Sequence, residues 1–246
     1  MNHSTNNRLI VALDVETVGA ARELFQAVKD VAGMFKIGSQ LFTAAGPGLV
    51  REIVEAGGRI FLDLKFHDIP NTVAAAGVEA TRLGVSIFNV HALGGGEMMR
   101  RTAEAVTETA HREGIERPSV IAVTVLTSAD SATLAEVGIE QEAEEQVSRL
   151  ARLAAQCGLD GVVASPHEVA LIRRDVKSPG FLIVTPSVRP SGSPHDDQKR
   201  VMTPAEAVRA GADYLVVGRA ILKAPDPARA ARQISEEMGK AVASSQ

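Results

Sequence analysis

Eight short apolar runs of β type recur along the chain, at residues 9–14, 34–38, 59–65, 86–91, 119–126, 161–164, 181–185 and 214–218. A stretch of helical character follows each one. Residues 20–31 place Leu24, Phe25, Val28 and Val31 on one stripe, and residues 49–56 close at Gly57-Gly58, a helix C-cap signal. Residues 73–83 end at Gly84, a long helix runs to about Arg112, and residues 141–156 are rich in Ala, Glu, Leu and Arg. Residues 166–174, 204–210 and 227–238 each open on proline, the residue favoured in a first helical turn.

Strand and helix alternating eight times, with no linker or break in composition, predicts a single (β/α)8 barrel over residues 9–238, with polar tails at 1–8 and 239–246. The length of 246 residues suits it, since such barrels run to roughly 250. A doubly wound open sheet is the main competitor. It would carry a glycine-rich dinucleotide fingerprint after the first strand, where Asp14-Val15-Glu16-Thr17 stands instead. Gly94-Gly95-Gly96 lacks that spacing and reads as a flexible loop at the head of a helix.

The formal net charge of −4 leaves no electrostatic footprint for nucleic acid, although local cations inside an acidic protein still suit a small anion. The first seven residues are polar, without the apolar core of a signal peptide. No apolar run approaches the ~20 residues of a membrane span. The single Cys157 excludes an intrachain disulfide. A soluble, cytoplasmic protein is the expectation.

The most informative stretch is Phe61-Leu62-Asp63-Leu64-Lys65-Phe66-His67-Asp68-Ile69-Pro70-Asn71-Thr72. On a strand, alternation puts Phe61, Asp63 and Lys65 on one face and Leu62, Leu64 and Phe66 on the other. Asp68 follows before Ile69-Pro70 turns the chain, and Asn71-Thr72 offers oxygens to cap the next helix. An exposed Asp-x-Lys pair is usually a surface salt bridge worth ~0–1 kcal/mol. On a strand whose opposite face is covered by helices, the charged face looks into the barrel, where charge is costly and kept mainly for function.

Barrel chemistry gathers where strands end. The polar residues at those ends are Asp14, Lys36, Asp63, Lys65, His91, Thr127, Ser165, Thr185 and Arg219, of which His91 and Ser165 read as structural. Loops after the last two strands often hold a phosphate. Arg189 and Gln198 follow the seventh run, and Gly218-Arg219 ends the eighth.

The run from Asp63 to Thr72, with Phe35-Lys36-Ile37-Gly38, Val123-Thr124-Val125-Leu126-Thr127-Ser128, Val184-Thr185-Pro186-Ser187-Val188-Arg189-Pro190 and Val217-Gly218-Arg219, resembles the bacterial orotidine 5′-phosphate decarboxylase family from about Leu9 to Ile234. The resemblance implies decarboxylation of orotidine 5′-monophosphate to UMP with no metal or organic cofactor. It further implies that Lys65 donates the proton, that Asp63 lies beside the departing carboxylate, and that Lys36 with Asp14 engages the ribose. Thr127 would meet the pyrimidine, and Arg189, Gln198, Gly218 and Arg219 the phosphate. Asp68 and Thr72 would reach into the partner's site of a homodimer.

The chemistry agrees with these residue types. Loss of CO₂ from C6 of a pyrimidine leaves a carbanion in the ring plane, which a fixed ammonium both stabilises and protonates. Flanking carboxylates favour the charged amine, whereas a Schiff-base lysine, as in an aldolase, needs a neutral one. Two further rivals keep the barrel. A Mg²⁺-dependent phosphosugar decarboxylase or aldolase would hold metal at the acids, where Lys65 already supplies a cation; a non-catalytic phosphometabolite binder would need no proton donor.

Overall fold

The computed structural model describes residues 8–186, 188 and 202–243. Over these the strands β1 Leu9–Ala12, β2 Met34–Gly38, β3 Ile60–Phe66, β4 Ile87–His91, β5 Ser119–Val123, β6 Gly161–Val163, β7 Leu182–Thr185 and β8 Tyr214–Val217 pair in parallel, in sequence order, into a closed barrel. β1 closes on β8 through Leu9 opposite Leu215 and Val11 opposite Val217. The (β/α)8 barrel expected from the alternation is the fold.

The strands read as continuous apolar runs because both of their faces are buried. Leu9, Val11, Phe35, Ile37, Leu62, Phe88 and Val90 face the helices and join the large outer core. Ile10, Ala12, Met34, Phe61, Ile87, Ile121, Val184 and Val216 form a second cluster that fills the barrel interior. The helices cover the outside for local reasons. Val18–Val28 starts at Thr17, whose Oγ1 accepts from the Ala20 N–H at 3.1 Å, and buries Ala21, Leu24, Phe25 and Val28. Pro204–Ala210 starts with a reciprocal Thr203–Glu206 capping box.

Several boundaries differ from expectation. β5 stops at Val123 instead of continuing to Leu126, because Val125 and Leu126 turn to line a cavity. Short helices at Ser39–Ala45, Ser131–Glu136 and Arg219–Leu222 have no counterpart in the sequence reading. The last helix runs from Pro227 to Ala243, so residues 239–243 continue it where a tail was expected; Ala241 is buried along with Met238. The glycine cluster is a built turn: Ala92–Gly94 forms a 3-10 helix and Gly95, at φ 85°, swings the chain into the helix Gly95–Glu113. Asn71 and Thr72 do not cap the helix Pro70–Arg82. It starts at Pro70, placing both inside the first turn, and Asn71 Oδ1 accepts from the Arg101 guanidinium instead.

Candidate active site

Period-two alternation carries the site. Two residues beyond Met34 on β2 stands Lys36; two beyond Phe61 on β3 stands Asp63; two beyond Ile87 on β4 stands Asn89. Each shares its strand face with an apolar residue of the barrel interior, one pleat lower. The apolar filling therefore gives way to a polar layer at the C-terminal ends of the strands.

That layer is a row of alternating charge. Lys36 Nζ lies 2.9 Å from Asp14 Oδ1 and 3.4 Å from Asp63 Oδ2, and Lys65 Nζ lies 2.6 Å from Asp63 Oδ1. Side-chain exposure is 11% for Lys36, 13% for Asp63 and 38% for Lys65, so the last ammonium is the more open one. Gly38 makes room for the row: a Cβ there would stand 3.1 Å from Lys36 Nζ and 3.4 Å from Asp14 Oδ1.

Burial alone would push the Asp63 carboxyl up. The ammonium charges of Lys36 and Lys65, with hydrogen bonds from Lys65 and Asn89, outweigh it and hold Asp63 below the ordinary aspartate range. Asn89 is a polar residue the sequence reading missed. It is fully buried, its Nδ2 donates to Asp63 Oδ1 at 2.7 Å, and its Oδ1 accepts the Lys65 backbone N–H at 2.7 Å. The available signal was its parity: Asn89 falls on the interior-facing side of β4, between Ile87 and His91.

The row opens into a cavity of about 300 Å³ lined by Asp14, Lys36, Asp63, Lys65, Thr127, Gly218 and Arg219, with a largely apolar wall from Val123, Val125, Leu126, Val163, Pro186, Val188 and Val216. All seven polar or glycine positions were sequence candidates. Ser165 is buried and takes part in a capping box with Glu168, as its structural reading expected. Thr185 is also buried and does not line the cavity. His91 stacks on His67 with ring centroids 5.4 Å apart; burial, then the His67 and Lys65 charges, lower its tendency to protonate. Arg189 and Gln198 lie outside the described residues.

Two candidates are not brought to this cavity. Asp68 is exposed, and its Oδ1 accepts from the Ile69 N–H at 2.6 Å; Thr72 is exposed on the first turn of Pro70–Arg82. Asp68 lies two residues beyond the end of β3, before the turn at Ile69-Pro70, and Thr72 lies after that turn, inside the helix.

Fold and site together define a barrel enzyme with an anion-friendly cavity at the strand ends, built round a lysine fixed by carboxylates. The family model described as "Orotidine 5'-phosphate decarboxylase / HUMPS family" matches residues 7–234. A relative from Geobacter sulfurreducens named orotidine 5'-phosphate decarboxylase is 58% identical over 231 residues, covering 94% of this chain and 95% of its own. One of that name from Moorella thermoacetica is 57% identical over 233 residues, covering 94% and 92%. The crystal structure of orotidine 5'-phosphate decarboxylase from Lactobacillus acidophilus superposes with a TM-score of 0.82 at 35% identity, over 94% of this chain and 98% of its own. The chain belongs to the orotidine 5′-phosphate decarboxylase family. Among the described residues, no helix is long and apolar enough to cross a membrane.

Proposed function

We propose that this cavity converts orotidine 5′-monophosphate to UMP and CO₂ without a metal or organic cofactor, with Lys65 delivering the proton to C6. The observation that carries the reading is the Lys65 ammonium held 2.6 Å from Asp63 at the wall of a cavity that also holds Arg219. As the C6–carboxylate bond breaks, its electron pair stays on C6 in the ring plane. The ammonium stabilises that charge as it develops and then fills it with a proton, and solvent reprotonates the amine.

The other groups take the roles that the family resemblance implies for them. Asp63 faces the departing carboxylate and holds Lys65 in place; Lys36 and Asp14, paired at 2.9 Å, receive the ribose hydroxyls. Thr127 meets the pyrimidine, and the Arg219 guanidinium with the Gly218 backbone takes the phosphate, joined by Arg189 and Gln198. Binding energy from the remote phosphate goes into orienting the ring at the reacting end. A Mg²⁺-dependent reaction on the same barrel fits less well, because Asp63 already meets Lys65 and Asn89 at Oδ1 and Lys36 at Oδ2.

Asp68 and Thr72 complete the site of a second copy in a homodimer. Both are exposed, and between them in the sequence Ile69 is 66% exposed; a large apolar side chain left open between two polar candidates supports packing against a second copy. Ile69→Asp is expected to give a monomer by sedimentation. A variant that stays dimeric and fully active removes this part of the reading. A cytoplasmic setting suits the single, buried, reduced Cys157.

The test is the loss of orotidine 5′-monophosphate absorbance with EDTA present, for wild type and Lys65→Ala. Turnover by wild type alone supports the reading. Loss of wild-type turnover on chelation, or activity retained by Lys65→Ala, overturns it.

A further inference from the structure

Between the pairs Leu62–Phe88 and Phe66–Val90, β3 and β4 fall out of register, so that Asp63, Leu64 and Lys65 stand opposite the single residue Asn89. Extra residues on one strand leave backbone groups without ladder partners and bend the strand. The bend is concentrated at Lys65, whose φ of 52° is the one positive value at a non-glycine residue among the described residues. A lysine holds that conformation only where its surroundings impose it.

The Asn89 side chain answers both consequences of the bulge. Its Oδ1 accepts the Lys65 N–H that the ladder leaves unpaired, and its Nδ2 donates to Asp63 Oδ1, the oxygen that also receives Lys65 Nζ. Asparagine is the side chain of this length that carries an acceptor and a donor on one rigid head. Full burial keeps water from competing for either bond.

We propose that Asn89 is a positioning residue for the decarboxylation: its carboxamide locks the Lys65 backbone in the left-handed turn that aims the ammonium at the cavity, and fixes the Asp63 carboxylate against it. The inference rests on the reading of Lys65 as proton donor. Asn89 does not line the cavity, so it acts through Lys65 and Asp63 and touches no substrate.

The experiment measures kcat, KM and the pH dependence of kcat for orotidine 5′-monophosphate in wild type, Asn89→Asp and Asn89→Ala, with sites counted by UMP calorimetry. Asn89→Asp keeps the acceptor for the Lys65 N–H and replaces the donor toward Asp63 with an oxygen; Asn89→Ala removes both. Per UMP-binding site, kcat is expected to fall about 30-fold in Asn89→Asp and about 100-fold in Asn89→Ala, with KM and UMP affinity within about threefold of wild type. The acid limb of the kcat profile moves to higher pH in Asn89→Ala, because Asp63 loses a hydrogen bond that favours its ionised form. Variants with wild-type kcat per site and an unmoved profile overturn the proposal. So do variants whose kcat and UMP affinity fall together, or the failure of both to fold, each of which would mean that Asn89 only supports structure. If Asn89→Ala alone fails to fold, Asn89→Asp decides. A wild type that does not turn over the substrate refutes the proposed function itself; wild-type turnover with unaffected variants refutes only the role of Asn89.

Discussion

The filling of the barrel and its mouth are built on the same strands, one pleat apart, and have opposite chemistry. Met34, Phe61 and Ile87 are fully buried and apolar; Lys36, Asp63 and Asn89, two residues further along, are polar or charged. Below, exclusion of water is the driving force, and any hydrophobic side chain of fitting volume would serve. Above, the same exclusion makes each charge depend on its neighbour, so that side-chain identity and angle matter. The strand ends are therefore where stability is exchanged for chemistry, and substitutions at the two levels should fail in different ways.

The largest expected effect is at the mouth. Lys65→Ala should lower kcat by about 10³-fold or more, combining loss of the general acid with loss of charge stabilisation at C6. Its melting temperature should stay close to that of wild type, because the side chain is 38% exposed and leaves no cavity in the core. A large fall in stability would mean that the charged row holds the barrel together, and the contrast would dissolve.

Next comes the filling. Met34 is fully buried one pleat below Lys36. Met34→Ala should destabilise the protein by about 3 kcal/mol in a denaturant melt, from lost burial and the cavity left behind. Turnover per folded molecule should stay within about threefold of wild type. Arg219→Ala sharpens the mouth side further: Arg219 lines the cavity just after β8, across the barrel from Asn89's strand, so its loss should raise KM about tenfold or more while changing kcat less. Equal falls in kcat and KM-corrected rate would indicate that phosphate binding is realised only at the transition state.

How much of this was legible in the sequence differs between the same two levels. The barrel was readable because every strand is a compact apolar run and most helices carry a stripe and a Gly or Pro at an end. Ser39–Ala45 and Arg219–Leu222 were not, since fewer than two turns give no periodicity to detect and neither opens on the proline that marks the equally short Pro204–Ala210. Val125 and Leu126 looked like strand because apolar residues that wall a ligand cavity are indistinguishable by type from those in a ladder. Asp14, Lys36, Asp63 and Lys65 stood out as charges at the ends of apolar runs. Asn89 was passed over because it lies inside its run, and the left-handed turn at Lys65 leaves no mark on residue type: it comes from a change of register against β4, a property of two strands together.

The smallest expected effect tests the electrostatic side of the contrast by pH. Asp63 is held below the ordinary aspartate range in the folded protein and returns to about 3.9 when unfolded. The unfolded chain thus binds its proton first as acid is added. The stabilisation that Asp63 contributes is fully present above pH ~4 and is lost as pH falls from there through its folded value. Glu113, held down to about 2 by Arg82, and Asp175, held down by Arg174, add acid-sensitive contributions of the same sign, so wild-type loss alone would not isolate the mouth. Comparison with Asp63→Asn does: its unfolding free energy should fall less steeply than wild type between about pH 4 and pH 2, with the two slopes equal above pH 5. Parallel slopes throughout would mean that the two ammonium groups do not favour the ionised carboxylate, and that the row of alternating charge is geometry without coupling.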